Sequence, residues 1–94
     1  MTNSLAVIKP PTNALARHPD TDRYKCRFDI RSESSDRVYR ISFDVAPGAG
    51  YWNCSCPGNL RHGNCKHLEA AGLRGRKYGK DTQTIKLLQQ AGAL

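Results

Sequence analysis

Cys54-Ser55-Cys56, then eight residues, then Cys65-Lys66-His67 constrains this chain more than any other feature of it. Three of its four cysteines and two of its three histidines lie between Trp52 and His67. A chain of 94 residues has much surface for its volume, so an apolar core alone leaves it marginal and a staple helps. The first residues, MTNSLAVIKPP, hold a four-residue apolar stretch and no basic lead-in. That predicts a reducing, cytoplasmic compartment, where disulfides are rare and clustered cysteines read as metal ligands. No apolar run approaches the roughly 18 residues of a membrane span, so no membrane partner is expected.

The spacing sets the geometry of such a site. In an extended chain residues i and i+2 point the same way, so Cys54 and Cys56 can grip one ion from a strand end. On a regular helix the same spacing puts side chains about 200° apart. Cys65 and His67 therefore work together only if Cys65 stands at a helix start, where the helix dipole also favours a thiolate. Three sulfurs and one imidazole match a closed tetrahedral zinc site and suit zinc better than magnesium or calcium. An iron–sulfur cluster usually wants four cysteines, and Cys26, alternating with Phe28 and Ile30, reads as a small core residue instead.

Either His62 or His67 completes the ligand set. His67 is preferred because Cys-x-His at a helix start fixes both ligands in one element, and His62 is then a surface or phosphate-contacting residue. His18, beside Pro19, is not expected to be a ligand. Trp52 shares parity with Cys54 and is expected to keep the site packed; an exposed base-stacking role, with Tyr51 as companion, is the alternative. A closed site leaves no position for a reacting water. No carboxylate pair or serine–histidine set stands out, so the expectation is a non-catalytic protein.

Period-two alternation over Tyr24–Ile30 and Tyr39–Val45 predicts two half-buried strands. APGAG at 46–50 is a turn, and Tyr51–Cys54 a third short strand. Pro57-Gly58 then reads as a turn. Cys65–Leu73 predicts a short helix, and Asp81 caps a last helix with Ile85, Leu88 and Ala91 on one face and Gly92 beyond its end. The expected fold class is α+β: an antiparallel three-stranded meander, a short helix at the zinc site and a C-terminal helix. Residues 1–22, with Pro10, Pro11 and Pro19, read as an irregular arm with an apolar anchor at Leu5–Ile8 and a helical turn near Ala14–Arg17. Residues 23–74 form the zinc-binding domain, and 75–94 a basic linker and the last helix.

The net charge of +7 is uneven: residues 61–94 hold seven basic and only two acidic side chains. Such a patch points to a polyanion, most often nucleic acid, or to no more than a solvated basic surface. The candidate contacts are Arg61, His62, Lys66, Arg74, Arg76, Lys77, Tyr78 and Lys80. Glycines at 75 and 79 let the backbone approach a phosphate, and Tyr78 can stack on a base. The rival reading is a protein-interaction adaptor that docks a partner or a second copy through the sheet edge, the arm, or Ile85 and Leu88.

Cys-Ser-Cys, eight residues and Cys-Lys-His resembles the SWIM zinc finger, whose motif is Cys-x-Cys, a spacer and Cys-x-His. Trp52 before the first cysteine, Pro57 after the second, Gly63 before the third, and Leu68 with Ala71 after the histidine also look like this family. The resemblance implies zinc on Cys54, Cys56, Cys65 and His67 within a ββα core. It also implies DNA binding, ahead of RNA, or protein interaction. Family members include transposases, helicases, recombination mediators and ubiquitin-ligase proteins. This chain has no such catalytic portion, so those roles do not carry over.

Overall fold

A computed structural model describes residues 14–32 and 36–93. The fold is α+β: a four-stranded antiparallel sheet in the order β1-β2-β3-β4, with helices gathered after it. The strands are β1 (Ala14–His18), β2 (Tyr24–Arg31), β3 (Val38–Asp44) and β4 (Tyr51–Cys54). The helices are α1 (Pro57–His62), α2 (Lys66–Ala70) and α3 (Thr82–Gln90), with a 3-10 turn at Arg76–Tyr78 between the last two.

The sheet has one strand more than the three expected. The extra strand, β1, lies where a helical turn was predicted within an irregular arm. Leu15, Ala16 and Arg17 are exposed in succession, so the segment carries no period-two signal. Pairing with β2, Arg17 opposite Phe28 and His18 opposite Arg27, satisfies its backbone and decides its conformation. The proposed anchor at Leu5–Ile8 falls outside the described residues.

Alternation in β2 is broken once. The register slips by one residue between Lys25 and Phe28, and Cys26 takes a positive φ of 55°. This is a β-bulge, and its extra residue donates its backbone N–H to Asp20 Oδ1 at 3.2 Å. The slip sets Tyr24 opposite Asp44 and Lys25 opposite Phe43. Tyr24 therefore leaves the face of Phe28 and Ile30, contrary to the simple alternation, and Arg23 lies over its ring at 5.1 Å.

The core is the face formed by Cys26, Phe28, Ile30, Ile41, Phe43, Trp52 and Cys54, closed by Leu68 of α2 and Leu88 of α3. Cys26 is a buried core residue, as its pattern predicted. The opposite face is polar, with Asp29 held between His18 and Arg40.

The helices start and stop for local reasons. Pro57-Gly58 opens α1 rather than a free turn, because Cys56 caps it, proline suits the first helical position, and Gly63 at φ 75° ends it. Helix α2 is shorter than expected: Gly72 and Leu73 donate to the Glu69 and Leu68 carbonyls, the paired bonds of a Schellman ending. Helix α3 begins where predicted, with Asp81 Oδ1 accepting from the Thr84 N–H at 3.1 Å.

The segment after Leu73 runs along β4. Trp52 N–H donates to the Arg74 carbonyl at 2.9 Å, Gly75 bridges Trp52 in parallel, and Asp81 N–H donates to the Gly50 carbonyl at 2.6 Å. Among the described residues no helix is long and apolar enough to cross a membrane.

Candidate metal centre

Cys54 ends β4 opposite Ile41, so the pleat turns its side chain into the core. Two residues on, Cys56 caps α1 in extended conformation, and its Sγ accepts from the Asn59 N–H at 3.4 Å. Asn59 is itself buried. Its Nδ2 donates to the Cys54 carbonyl at 3.0 Å and to Asn53 Oδ1 at 2.6 Å, fixing α1 against the strand end. Cys65 caps α2 with extended φ and ψ of −156° and 167°, and His67 is the second helical residue. This is the arrangement the Cys-x-His spacing required. The Tyr39 ring packs on the His67 imidazole at 5.0 Å between centroids and limits its rotation.

The four ligand atoms of Cys54, Cys56, Cys65 and His67 lie within 4.8 Å of one another and can hold a metal ion. Cys54 Sγ stands 3.9 Å from His67 Nδ1. Around a tetrahedral zinc, bond lengths of about 2.3 Å to sulfur and 2.0 Å to nitrogen put ligand atoms roughly 3.6–3.8 Å apart. Side-chain adjustments of about an ångström close that gap. Cys54, Cys56 and His67 are buried and Cys65 is half-buried, so the cluster faces solvent on the Cys65 side.

Burial pushes the Cys54 and Cys65 thiols up, and the neighbouring thiols add to the effect. At Cys65 the backbone N–H groups of Leu68 and His67 oppose the rise without overcoming it. The helix start favours the Cys65 thiolate, as the sequence suggested, but burial is the larger effect. A dication reverses this balance, because its charge compensates the thiolates and binding releases their protons. The donor set, its spacing and its burial all fit such an ion.

His62 closes α1 as an exposed residue and is not part of the cluster. Trp52 is buried with its ring edge-on to Phe43 at 5.1 Å, so it packs the core and presents no face for stacking on a base. Arg61 and Lys66 are exposed on α1 and α2 beside the ligands. Arg74 and Lys80 share the rim of a polar pocket with Asp81 and Thr82. Lys77 Nζ lies 5.6 Å from the centre of the half-exposed Tyr78 ring.

Arg76 differs from its neighbours. Its guanidinium donates to the Asn59 and Leu60 carbonyls at 3.1 Å each, which satisfies acceptors near the C-terminal end of α1. It is a structural clasp before it is a phosphate contact.

Sequence reasoning passed over Asn59, Asn64 and Tyr39. Asn59 and Asn64 sit in a stretch taken as loop, and only the pairing of Pro57 with Gly63 as helix start and stop hints that the stretch is built. Tyr39 was read as a strand residue, but nothing local points to its contact with His67, which lies far along the chain. Compared with family models, with curated proteins and with solved structures, the chain shows no match.

Proposed function

We propose that Cys54, Cys56, Cys65 and His67 hold one zinc ion as a structural centre of SWIM type, and that the protein is a non-catalytic module binding nucleic acid, DNA ahead of RNA. One observation carries the metal part of the reading: three sulfurs and one imidazole converge within 4.8 Å, three of the four residues buried. A centre with four protein ligands keeps no open position for a substrate or a water, and its contribution is folding free energy. The surface fastened around it bears Arg61, His62, Lys66, Arg74, Lys77, Tyr78 and Lys80 in a chain of net charge +7.

Elemental analysis of purified protein is expected to give one zinc per chain, and a Cys65→Ser variant substantially less. Chelation is expected to abolish amide protection from Trp52 to Leu73; unchanged protection overturns the structural role. Binding to duplex DNA is expected to fall with salt at a slope of about 0.9 per phosphate contact. Binding indifferent to salt, or no binding, overturns the nucleic-acid reading.

The second reading, a protein adaptor, finds support in Leu60 of α1, 63% exposed among polar neighbours, and in Leu15 on the strand β1. It loses the support expected from α3, whose Leu88 is wholly buried in this chain's own core and whose Ile85 packs against it. Sizing of the purified protein, and its dependence on Leu60, tests self-association.

A further inference from the structure

The three sulfurs of the metal cluster are not equally placed. A cleft of about 390 Å³ opens onto the cluster, with Cys56, Gly58 and Cys65 among its walls. Gly58 has no side chain to cover the two sulfurs. A methyl group there would lie 3.7 Å from Cys65 Cβ and 3.9 Å from Cys56 Sγ. Cys65 is half-buried, while Cys56 is buried but lines the same cleft. Cys54 is wholly buried at the strand end opposite Ile41, and Cys26 is shut in the core.

That placement sorts the thiols by chemistry. A sulfur that ligates a metal is a thiolate, and the thiolate is the form that oxidants attack. Susceptibility to oxidation follows thiolate character and exposure together. Ligation makes the three sulfurs alike in the first respect, so exposure selects Cys65. Its partner follows from reach. The Sγ atoms of Cys56 and Cys65 lie within 4.8 Å of each other, and both residues cap helices in extended conformation. A disulfide needs sulfurs about 2.05 Å apart, an approach shared between two side chains that face one cleft.

We propose that Cys65 and Cys56 form a peroxide-sensitive pair, and that their oxidation to a disulfide dismantles the metal centre. The switch rests on the zinc reading above and adds to it the regulation of that site. First the Cys65 sulfur attacks a peroxide oxygen, the O–O bond breaks, and Cys65 becomes a sulfenic acid as hydroxide leaves. Then the Cys56 sulfur attacks the Cys65 sulfur, the S–O bond breaks, and a second hydroxide leaves through the cleft. Two protons from solvent turn both hydroxides into water, and two electrons have passed from the sulfur pair to the peroxide. Only Cys54 and His67 remain as ligands, too few for a structural zinc site. The new bond also draws Cys56 Sγ from the Asn59 N–H that it accepts at 3.4 Å, so the ion and the cap of α1 are lost together.

The test uses zinc-loaded full-length protein and hydrogen peroxide. A zinc-sensitive dye follows released metal, and mass spectrometry of the unreduced protein follows the cysteines. One zinc per chain is expected to be lost in step with a fall in mass of about 2 Da, the two hydrogens of a disulfide. Trypsin cleaves after Arg40, Arg61 and Lys66, and fragmentation of the joined peptides is expected to place the bond between Cys56 and Cys65 rather than at Cys54. A dithiol with added zinc is expected to restore the metal content. Retention of zinc under peroxide that oxidises free cysteine overturns the switch and leaves the zinc reading standing. So does a bond through Cys54 or Cys26, or a release that the dithiol does not reverse. Protein that takes up no zinc overturns both.

Discussion

Gly75→Ala separates a docked basic segment from a solvated linker by the sign of one free energy. Gly75 has φ −78° and ψ 177°, a conformation any residue adopts. In a solvated linker, alanine there would reduce the freedom of the unfolded chain and stabilise the protein by about 0.4–1 kcal/mol. The structure predicts the opposite. A Cβ on Gly75 overlaps the Gly63 carbonyl oxygen and comes within 3.1 Å of Asn64 Cα, and both neighbours are backbone. Backbone cannot swing aside as a side-chain end can, so the two segments must separate. Overpacking of this kind costs about 1–3 kcal/mol. The separation also strains the Lys77 N–H to Gly63 carbonyl bond at 3.1 Å and the Trp52 N–H to Arg74 carbonyl bond at 2.9 Å. Each such bond contributes about 0.5–1.5 kcal/mol. The expected loss is therefore about 2–4 kcal/mol, a fall in Tm of roughly 10–20 °C for a domain of this size. Urea unfolding of zinc-saturated protein, with the slope m compared between variants, measures it. A midpoint equal to or above that of the wild type would refute the docked arrangement.

Arg76→Ala is expected to cost about 1–2 kcal/mol in the same assay, since it strips the guanidinium from the Asn59 and Leu60 carbonyls, and Arg76→Lys to recover little, because one ammonium does not replace a planar two-pronged donor. Leu88→Ala is expected to cost about 2–5 kcal/mol if α3 belongs to the core; a loss below about 0.5 kcal/mol would show α3 to be peripheral. At Asp29 burial pushes the carboxyl up, but hydrogen bonds from His18 and Arg40 outweigh it and hold the carboxyl below its ordinary value. Its folded value is thus the lower one, so its contribution is fully present above the unfolded value of about 3.9 and is lost as pH falls through the folded value. Asp29→Asn should therefore flatten the acid limb of the stability–pH profile below about pH 4 while costing no more than about 1 kcal/mol at neutral pH, and an unchanged acid limb would count against the pairing.

What was legible in the sequence follows from the range of each interaction. The convergence of Cys54, Cys56, Cys65 and His67 was readable because strand parity and helix-start geometry act within three residues, as at Cys54-Cys56 and Cys65-His67. The cap at Asp81 and the strands over Phe28–Ile30 and Ile41–Phe43 were readable for the same reason. Strand β1 was not, because its conformation is decided by pairing with β2, further along the chain, and its own central side chains are exposed in a row. The bulge at Cys26 was hidden, since a positive φ at a cysteine contradicts its local preference and is held by Asp20 and the pairing with β3. Helix α1 was misjudged at Pro57-Gly58, where turn chemistry and helix-start chemistry use the same two residues. The clasp made by Arg76 was hidden, because nothing in RGRKYGK reveals carbonyls waiting on another element.

These misjudged parts meet at one element. Helix α1 is held at its start by Cys56, along its length by Asn59 on the Cys54 carbonyl, and toward its end by Arg76. The first hold belongs to the metal cluster and the last to the basic segment. The same helix displays Arg61 and His62, so a cysteine of the candidate metal cluster, the clasp and two candidate contacts share one rigid piece of backbone. An ion that binds the folded cluster and not the unfolded chain stabilises every contact that depends on α1. Linkage then requires reciprocity: whatever factor zinc adds to affinity for a polyanion on this surface, the polyanion adds to affinity for zinc. On the proposed reading, a metal held by the cluster would be coupled to the polyanion surface through this short helix, whose first residue follows Cys56 and whose C-terminal end rests on Arg76.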